Sequence, residues 1–303
     1  MKWREFPVIG IKGFCMGMAD LVPGVSGGTM AFILGIYQRL LAAIRSFDQK
    51  WLRAIVSLDY KTAISRPHWL FLLPLFAGII AALIFFTRVI SIPALLNTHT
   101  EQVYGLFFGL IIASIIVLLK EVGKFTLTDS IVLVLGTAGG LWLVNLVPFS
   151  TPESSLFIFF SGMIAICAMI LPGISGSFLL LLMRKYAYIM ESVGRFDFTV
   201  LLPFALGCIA GLAVFSRVLG WLLEKYYRRT LLVIKGILIA SLWVLWPFQQ
   251  REYAEIAGKE RLISSRPELP SQFDETVMVS LGLMIIGLFV VLSINAIAGK
   301  NTR

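Results

Sequence analysis

Two short runs in this 303-residue chain combine residues suited to holding an oxyanion: Pro23-Gly24-Val25-Ser26-Gly27-Gly28-Thr29 and Pro172-Gly173-Ile174-Ser175-Gly176-Ser177. Proline and glycine stop one helix, and a helix that restarts after such a break points unpaired N–H groups and a positive dipole end at the gap, which favours phosphate. Glycine lets backbone approach an anion closely, while Ser26, Thr29, Ser175 and Ser177 add hydroxyl donors. Gly24, Gly27, Gly28, Gly173 and Gly176 complete this candidate phosphate-binding set. The simpler alternative is that these small residues only let helices pack tightly. Recurrence of the run at a fixed offset favours a site.

Charged residues near the runs divide by role. Arg88 and Arg217 occupy one repeat-related position near the ends of apolar stretches, where each could meet a phosphate or snorkel toward headgroups. Arg184 and Lys185 follow the second run and could attract an anionic headgroup at its mouth. Asp20 stands three residues before Pro23, and its counterpart is the neutral Met169. A carboxyl there either couples an ion such as a proton or sodium, or caps nearby N–H groups. Lys235, inside an apolar stretch, needs a partner or water. Glu101, Glu153, Glu191 and Glu224 lie at expected boundaries and read as solvated. His68, His99, Cys15, Cys167 and Cys208 lack metal-ligand spacing, so no metal and no cofactor is expected. No dinucleotide, Walker or nucleophile-elbow motif is present.

Both runs interrupt strongly apolar sequence. The chain is 58% apolar and 14% charged, with a mean hydropathy of +0.89, which excludes an ordinary soluble enzyme and implies a polytopic membrane protein. The formal charge of +9 sits in short loops beside apolar spans, a pattern of membrane topology rather than nucleic-acid binding. The basic start of the chain is followed by no small-residue cleavage site, so it is kept as part of the first repeat.

An offset of 149 superposes the two runs and also pairs Tyr37 with Tyr186. Further on, Gly78 pairs with Gly207, Phe86-Thr87-Arg88-Val89 with Phe215-Ser216-Arg217-Val218, and Gly109 with Gly236. This order indicates duplication, with repeat one at 8–148 and repeat two at 154–298. The stretches flanking each run fall short of the roughly 20 apolar residues of a full crossing. They read as re-entrant hairpins, about 8–44 and 156–193, because broken backbone is tolerated in a bilayer only where protein or a watery cavity satisfies it. Full crossings are expected at 69–90, 103–119, 130–148, 199–221, 231–247 and 277–297. The fold expected is all-α, with two inverted repeats, each a re-entrant hairpin plus three transmembrane helices. With both termini in the cytoplasm, sixteen Lys and Arg residues fall inside and eight outside, as the positive-inside rule requires. Residues 249–276 form the sizeable extracytoplasmic loop.

The first run in its context, Gly17-Met18-Ala19-Asp20-Leu21-Val22-Pro23-Gly24-Val25-Ser26-Gly27-Gly28-Thr29, and the second, Leu171 to Ser177, resemble the PopT family of polyprenyl-phosphate transporters over nearly the whole chain. The resemblance implies a non-enzymatic carrier in the bacterial plasma membrane. It implies that undecaprenyl phosphate is returned from the outer to the inner leaflet for peptidoglycan and envelope glycan synthesis. Membrane lipids, and protons or sodium, are the other expected partners. Pro-Gly-x-Ser is also similar to a motif of undecaprenyl pyrophosphate phosphatases. Gly27 and Gly176 stand where that motif carries its arginine, and no paired-glutamate motif precedes either run. An ion-coupled transporter of a small anion is the main alternative, because the same groups could hold a carboxylate or free phosphate.

Overall fold

The computed structural model describes residues 5–22, 24–120, 122–146, 148–149, 151–256, 259–270 and 272–300, with backbone alone at 93, 97, 251–256, 259–265 and 294–300. Pro23 of the first run, and Lys2, Arg4 and Arg303 of the loop-charge argument, lie outside the described residues. In chain order the elements are α1 (Phe6–Asp20), α2 (Gly27–Ile33), α3 (Tyr37–Arg45), α4 (Gln49–Val56), α5 (Tyr60–Ser65), α6 (Trp69–Arg88), α7 (Ile92–Thr98), α8 (Thr100–Lys120), α9 (Leu127–Val144), α10 (Ser155–Ile170), α11 (Gly176–Leu182), α12 (Tyr186–Arg195), α13 (Phe198–Lys225), α14 (Tyr227–Leu245), β1 (Gln249–Ile256), β2 (Lys259–Pro267) and α15 (Glu275–Lys300).

Among the described residues, α6, α8, α9, α13 and α15 are long and apolar enough to cross a membrane. The protein is thus a helical, polytopic membrane protein. The expected span at 231–247 overlaps α14, whose 19 residues include Arg228, Arg229 and Lys235 and which does not qualify on composition. Lys235 is buried and donates from Nζ to the Leu118 carbonyl at 2.6 Å, the partner that a membrane-embedded ammonium requires. The 249–276 segment, expected as a loop, contains an antiparallel ribbon of β1 and β2 with a bulge at Glu252/Tyr253.

The chain forms two compact units: Met1–Ser91 with Phe149–Leu231, and Ile92–Pro148 with Leu232–Arg303. Each draws on both expected repeats. In the first, α1 lies along α6 in the same direction, and a methyl group at Gly13 or Gly78 would overlap the carbonyl of Leu75 or Gly10. α10 lies along α13 likewise, with Gly162 and Gly207 against the carbonyls of Phe204 and Phe159. Gly10 and Phe159 are themselves 149 positions apart, so both seams use equivalent close approaches. Such approaches replace the hydrophobic effect as the source of helix association in lipid.

Side-by-side packing of α1 and α6 in one direction requires the intervening chain to return to the level where α1 starts. It does so through a 120° bend between α2 and α3, with Gly35 at φ 69° between them. The segment of basic residues beyond α3 folds into α4 and α5. Asp48 accepts from the Trp51 N–H at 3.0 Å and Asp59 from the Thr62 N–H at 3.1 Å, which starts each helix. Arg66 grips Asp48 through Nε at 2.7 Å and through a second nitrogen, and the Trp51 indole donates to the Ala63 carbonyl at 3.1 Å.

In the second unit, α8 runs with α15 and α9 runs with α14. Gly109 abuts the Met284 carbonyl and Gly236 abuts that of Leu133, where methyl groups would overlap or stand 2.6 Å away. The Ser280 hydroxyl donates to the Glu101 carbonyl at 2.8 Å, and a capping box of Thr126 and Asp129 starts α9.

Candidate functional site

The two glycine-serine runs meet in the first unit. At the first tip, Gly24 adopts φ 86°, and at the second Gly173 adopts φ 92°. A side chain would strain either position. The short helices α2 and α11 then restart the chain. The Ser26 hydroxyl accepts from the Gly28 N–H at 3.1 Å and donates to the Met169 carbonyl at 3.2 Å, the exposed end of α10. Thr29 answers from the other direction, accepting from the Gly173 N–H at 2.8 Å. Ser26 and Thr29 are 2% and 1% exposed, so this polar junction is withdrawn from the surface. Gly28 lies so close to the second tip that a methyl group there would stand 2.6 Å from the Met169 carbonyl oxygen.

The remaining candidates fall into distinct places. Ser175 and Ser177 pair through their hydroxyls at 2.7 Å; Ser175 is buried and Ser177 half-buried. Ser175 makes no cap bond to α11, whereas the matching Ser26 caps α2. Gly176 is buried and packs toward the Ala165 carbonyl. Asp20 accepts from the Gly27 N–H at 2.6 Å, so its carboxylate occupies the anion position at the start of α2. The local-cap alternative for Asp20 describes this geometry. Arg88 ends α6 and Arg217 lies within α13, both exposed. Each is six residues beyond the seam positions Ala82 and Gly211, or about 9 Å along its helix. Arg217 donates to the Ala213 carbonyl of its own helix. Among the described residues the bonds joining the tips involve neither arginine.

Arg184 is exposed with φ 53°. Lys185, expected to attract an anionic headgroup at the outer mouth, is instead turned into the protein. It is 2% exposed, donates to the Thr151 carbonyl at 2.8 Å, and stands 5.5 Å from the Tyr188 ring. Burial and a carbonyl partner make it a clasp for the end of the second hairpin. Thr151 completes the clasp by donating to the Met183 carbonyl at 3.1 Å. Lys12 does the equivalent for the first hairpin, donating to the Leu34 carbonyl at 2.7 Å. Lys12 bonds the carbonyl at the end of α2 directly, whereas Lys185 reaches the matching carbonyl of Met183 only through Thr151.

Tyr37 joins the junction, and two residues elsewhere in the same unit, Ser216 and Arg45, stand out as well; residue type alone singled out none of them. The Tyr37 hydroxyl is buried and donates to the Ile170 carbonyl at 3.1 Å, and the only sequence signal was its match to Tyr186. Ser216, buried and beside Arg217, has a hydroxyl with no hydrogen-bond partner among the described residues, a rare state for a buried donor. Arg45 pairs with Glu224 at 2.7 Å, joining α3 to α13. Glu224 is therefore an ion-pair partner as well as a solvated boundary residue. Among the described residues no cluster of three His, Cys, Asp or Glu side chains could hold a metal.

The arrangement joins two buried tips by three hydrogen bonds of 2.8 to 3.2 Å among the described residues, made by hydroxyls and a backbone N–H, groups of the right type for an oxyanion. A family model described as VCA0040-like, undecaprenyl phosphate translocase-like, matches residues 16–262. A polyprenyl-phosphate transporter of Vibrio cholerae serotype O1 is 35% identical over 298 residues, 96% of each chain. A protein of the same name from Staphylococcus aureus is 31% identical over 267 residues, 81% of this chain and 87% of its own. No solved structure matches the chain. The breaker runs, their meeting and these relatives agree, and the chain belongs to the undecaprenyl phosphate translocase-like family.

Proposed function

We propose that the protein carries undecaprenyl phosphate across the bacterial plasma membrane, from the outer to the inner leaflet, without hydrolysing it, so that the lipid re-enters peptidoglycan and envelope glycan synthesis. The observation that carries this reading is the tip-to-tip junction in which Ser26, Thr29 and Tyr37 bond Met169, Gly173 and Ile170 respectively. A phosphate cannot enter hydrocarbon unless protein groups replace its water. Neutral bonds of the junction are worth about 1 kcal/mol each, and charge-assisted bonds to a phosphate about twice that. A headgroup can therefore take over donors that the closed tips use on each other. The prenyl tail stays in lipid throughout. The names of the two relatives support the substrate class.

Inverted repeats would expose the junction alternately to the two sides. In the second unit α14 runs with α9, not with its repeat counterpart α8, and α15 runs with α8. Consecutive spans cross in opposite directions, so this pairing supports a second repeat inserted upside down, and the loop charges favour both termini in the cytoplasm. Arg88 and Arg217 then approach the headgroup from opposite leaflets, with Ser216 as a donor beside Arg217 and Arg184 at the outer mouth. Asp20 repels a phosphate at α2 until a proton or sodium ion neutralises it, which would couple ion and lipid movement. The test is binding of undecaprenyl phosphate to purified protein, with undecaprenyl pyrophosphate supplied in parallel and free phosphate assayed. Saturable monophosphate binding without phosphate release is expected. Release of phosphate would make the protein a phosphatase, and failure to bind the lipid while binding small anions would favour a small-anion transporter.

A further inference from the structure

At the far end of α3 from the tips lies a cavity of about 480 Å³, lined by Ala42, Arg45, Ser46, Asp48, Arg66, His68 and Glu224. Tyr37, bonded to the second tip, and Arg45, in the cavity, are eight residues apart on one helix, about 12 Å. The two arginines are held very differently. Arg66 is fixed by two bonds to Asp48, whose carboxylate also accepts the Trp51 N–H. Among the described residues Arg45 makes a single bond, to Glu224, whose side chain is 68% exposed. Its guanidinium lies against α13 at Gly220, where a methyl group would stand 2.6 Å from Cζ. Glycine at 220 leaves the room for the guanidinium to lie against α13 beside the cavity, and an exposed pair of this kind contributes little, so the carboxylate can be exchanged.

We propose that this cavity is a second site for a phosphate monoester, in which Arg45 exchanges the Glu224 carboxylate for the phosphate. The identity of the monoester as a lipid headgroup rests on the carrier reading above, whereas the phosphate chemistry does not. Glu224 then acts as a built-in competitor: it keeps the site weak, so a headgroup arriving along α3 is held and released rather than trapped. Asp48 keeps Arg66 and the α4–α5 pair in position as a wall.

The experiment is a titration of purified full-length protein with geranyl phosphate and, separately, inorganic phosphate. Glu224→Gln, which removes the competing charge, should tighten binding about fivefold. Arg45→Ala should weaken it at least tenfold. Gln38→Ala breaks the neighbouring bond from Gln38 to the Tyr227 hydroxyl, 3.0 Å, without touching Arg45, and should leave affinity unchanged. A gain for geranyl phosphate well above that for inorganic phosphate supports a lipid headgroup; equal gains support the site with free phosphate as its source. Glu224→Gln binding no tighter than wild type, or Gln38→Ala reproducing the gain, would overturn the proposal. Transport of undecaprenyl phosphate measured on the same preparations separates the two readings, because lost transport with a retained Glu224→Gln gain refutes only the carrier.

Discussion

At Gly28 a methyl group would stand 2.6 Å from the Met169 carbonyl oxygen and 3.0 Å from that of Ile170, and neither backbone atom can swing aside as a side chain would. Gly28→Ala is therefore expected to wedge the tips apart at a strain of about 1–3 kcal/mol, reducing transport in liposomes at least tenfold while circular dichroism stays helical. Thr29→Val keeps the shape but leaves the buried Gly173 N–H unpaired, a loss of about 1–3 kcal/mol. A lowered melting temperature and faster hydrogen exchange at Gly173 are its signature. Arg88→Ala and Arg217→Ala should each weaken headgroup binding by about 2 kcal/mol, roughly 30-fold. A folded double variant with wild-type affinity would remove both arginines from the site. Sequence made the tips legible because the same proline-glycine-x-serine-glycine break recurs at a fixed offset inside apolar stretches, where broken backbone needs partners. It could not disclose the Met169 and Ile170 carbonyls as partners, since every residue carries that group. Lys185 misled for a related reason: its partner, the Thr151 carbonyl, lies 34 positions away and leaves no pattern.

The elements around the site differ in how much their sequence declares. Long apolar helices such as α6 and α13 follow from composition, and the breaks after α1 and α10 follow from the two glycine-serine runs. The α4–α5 pair is less visible, because its helices are eight and six residues long and depend on Asp48, Asp59 and Arg66 meeting across a turn. Leu52, Ile55, Val56 and Ile64 are exposed on this pair beside Lys50, Arg53 and Lys61, as suits a surface-lying amphipathic element. The Arg66 hydrogen bonds hold the Asp48 carboxyl far below the ordinary carboxylate range, with the Trp51 N–H adding to the effect. A depressed folded value gives a stabilisation fully present above about pH 4 and lost as the pH falls below it. The protection of α4 and α5 against hydrogen exchange, relative to the intrinsic rate at each pH, should fall on acidification through that range. In Asp48→Asn the helix cap survives but the ion pair does not, so the pair should lose up to about 1 kcal/mol at neutral pH and most of that acid response. The ribbon of β1 and β2 was hidden because its strands set Glu255 opposite Glu260, a pairing that charge patterning argues against.

For the whole molecule, duplication is the property that the sequence states most clearly, since Gly78 and Gly207, and Gly109 and Gly236, each mark a close helix approach. Division of the chain into units that each mix both repeats was not legible, because α8–α15 and α9–α14 pairing joins segments far apart in sequence. Inversion makes a direct prediction about sidedness. With the native cysteines replaced, Gln49→Cys on α4 and Gly194→Cys on α12, both exposed, should react with an impermeant thiol reagent from opposite faces of sealed vesicles; labelling from the same face would contradict an inverted second hairpin. Central to the account is movement of an intact monophosphate lipid through the tip junction. The direct measurement is leaflet exchange of undecaprenyl phosphate in proteoliposomes, comparing wild type with Gly28→Ala and assaying free phosphate. The account predicts exchange by wild type, at least tenfold less by Gly28→Ala, and no phosphate release. Equal exchange by both proteins, or none by well-folded wild type across the ion conditions tried, would contradict it.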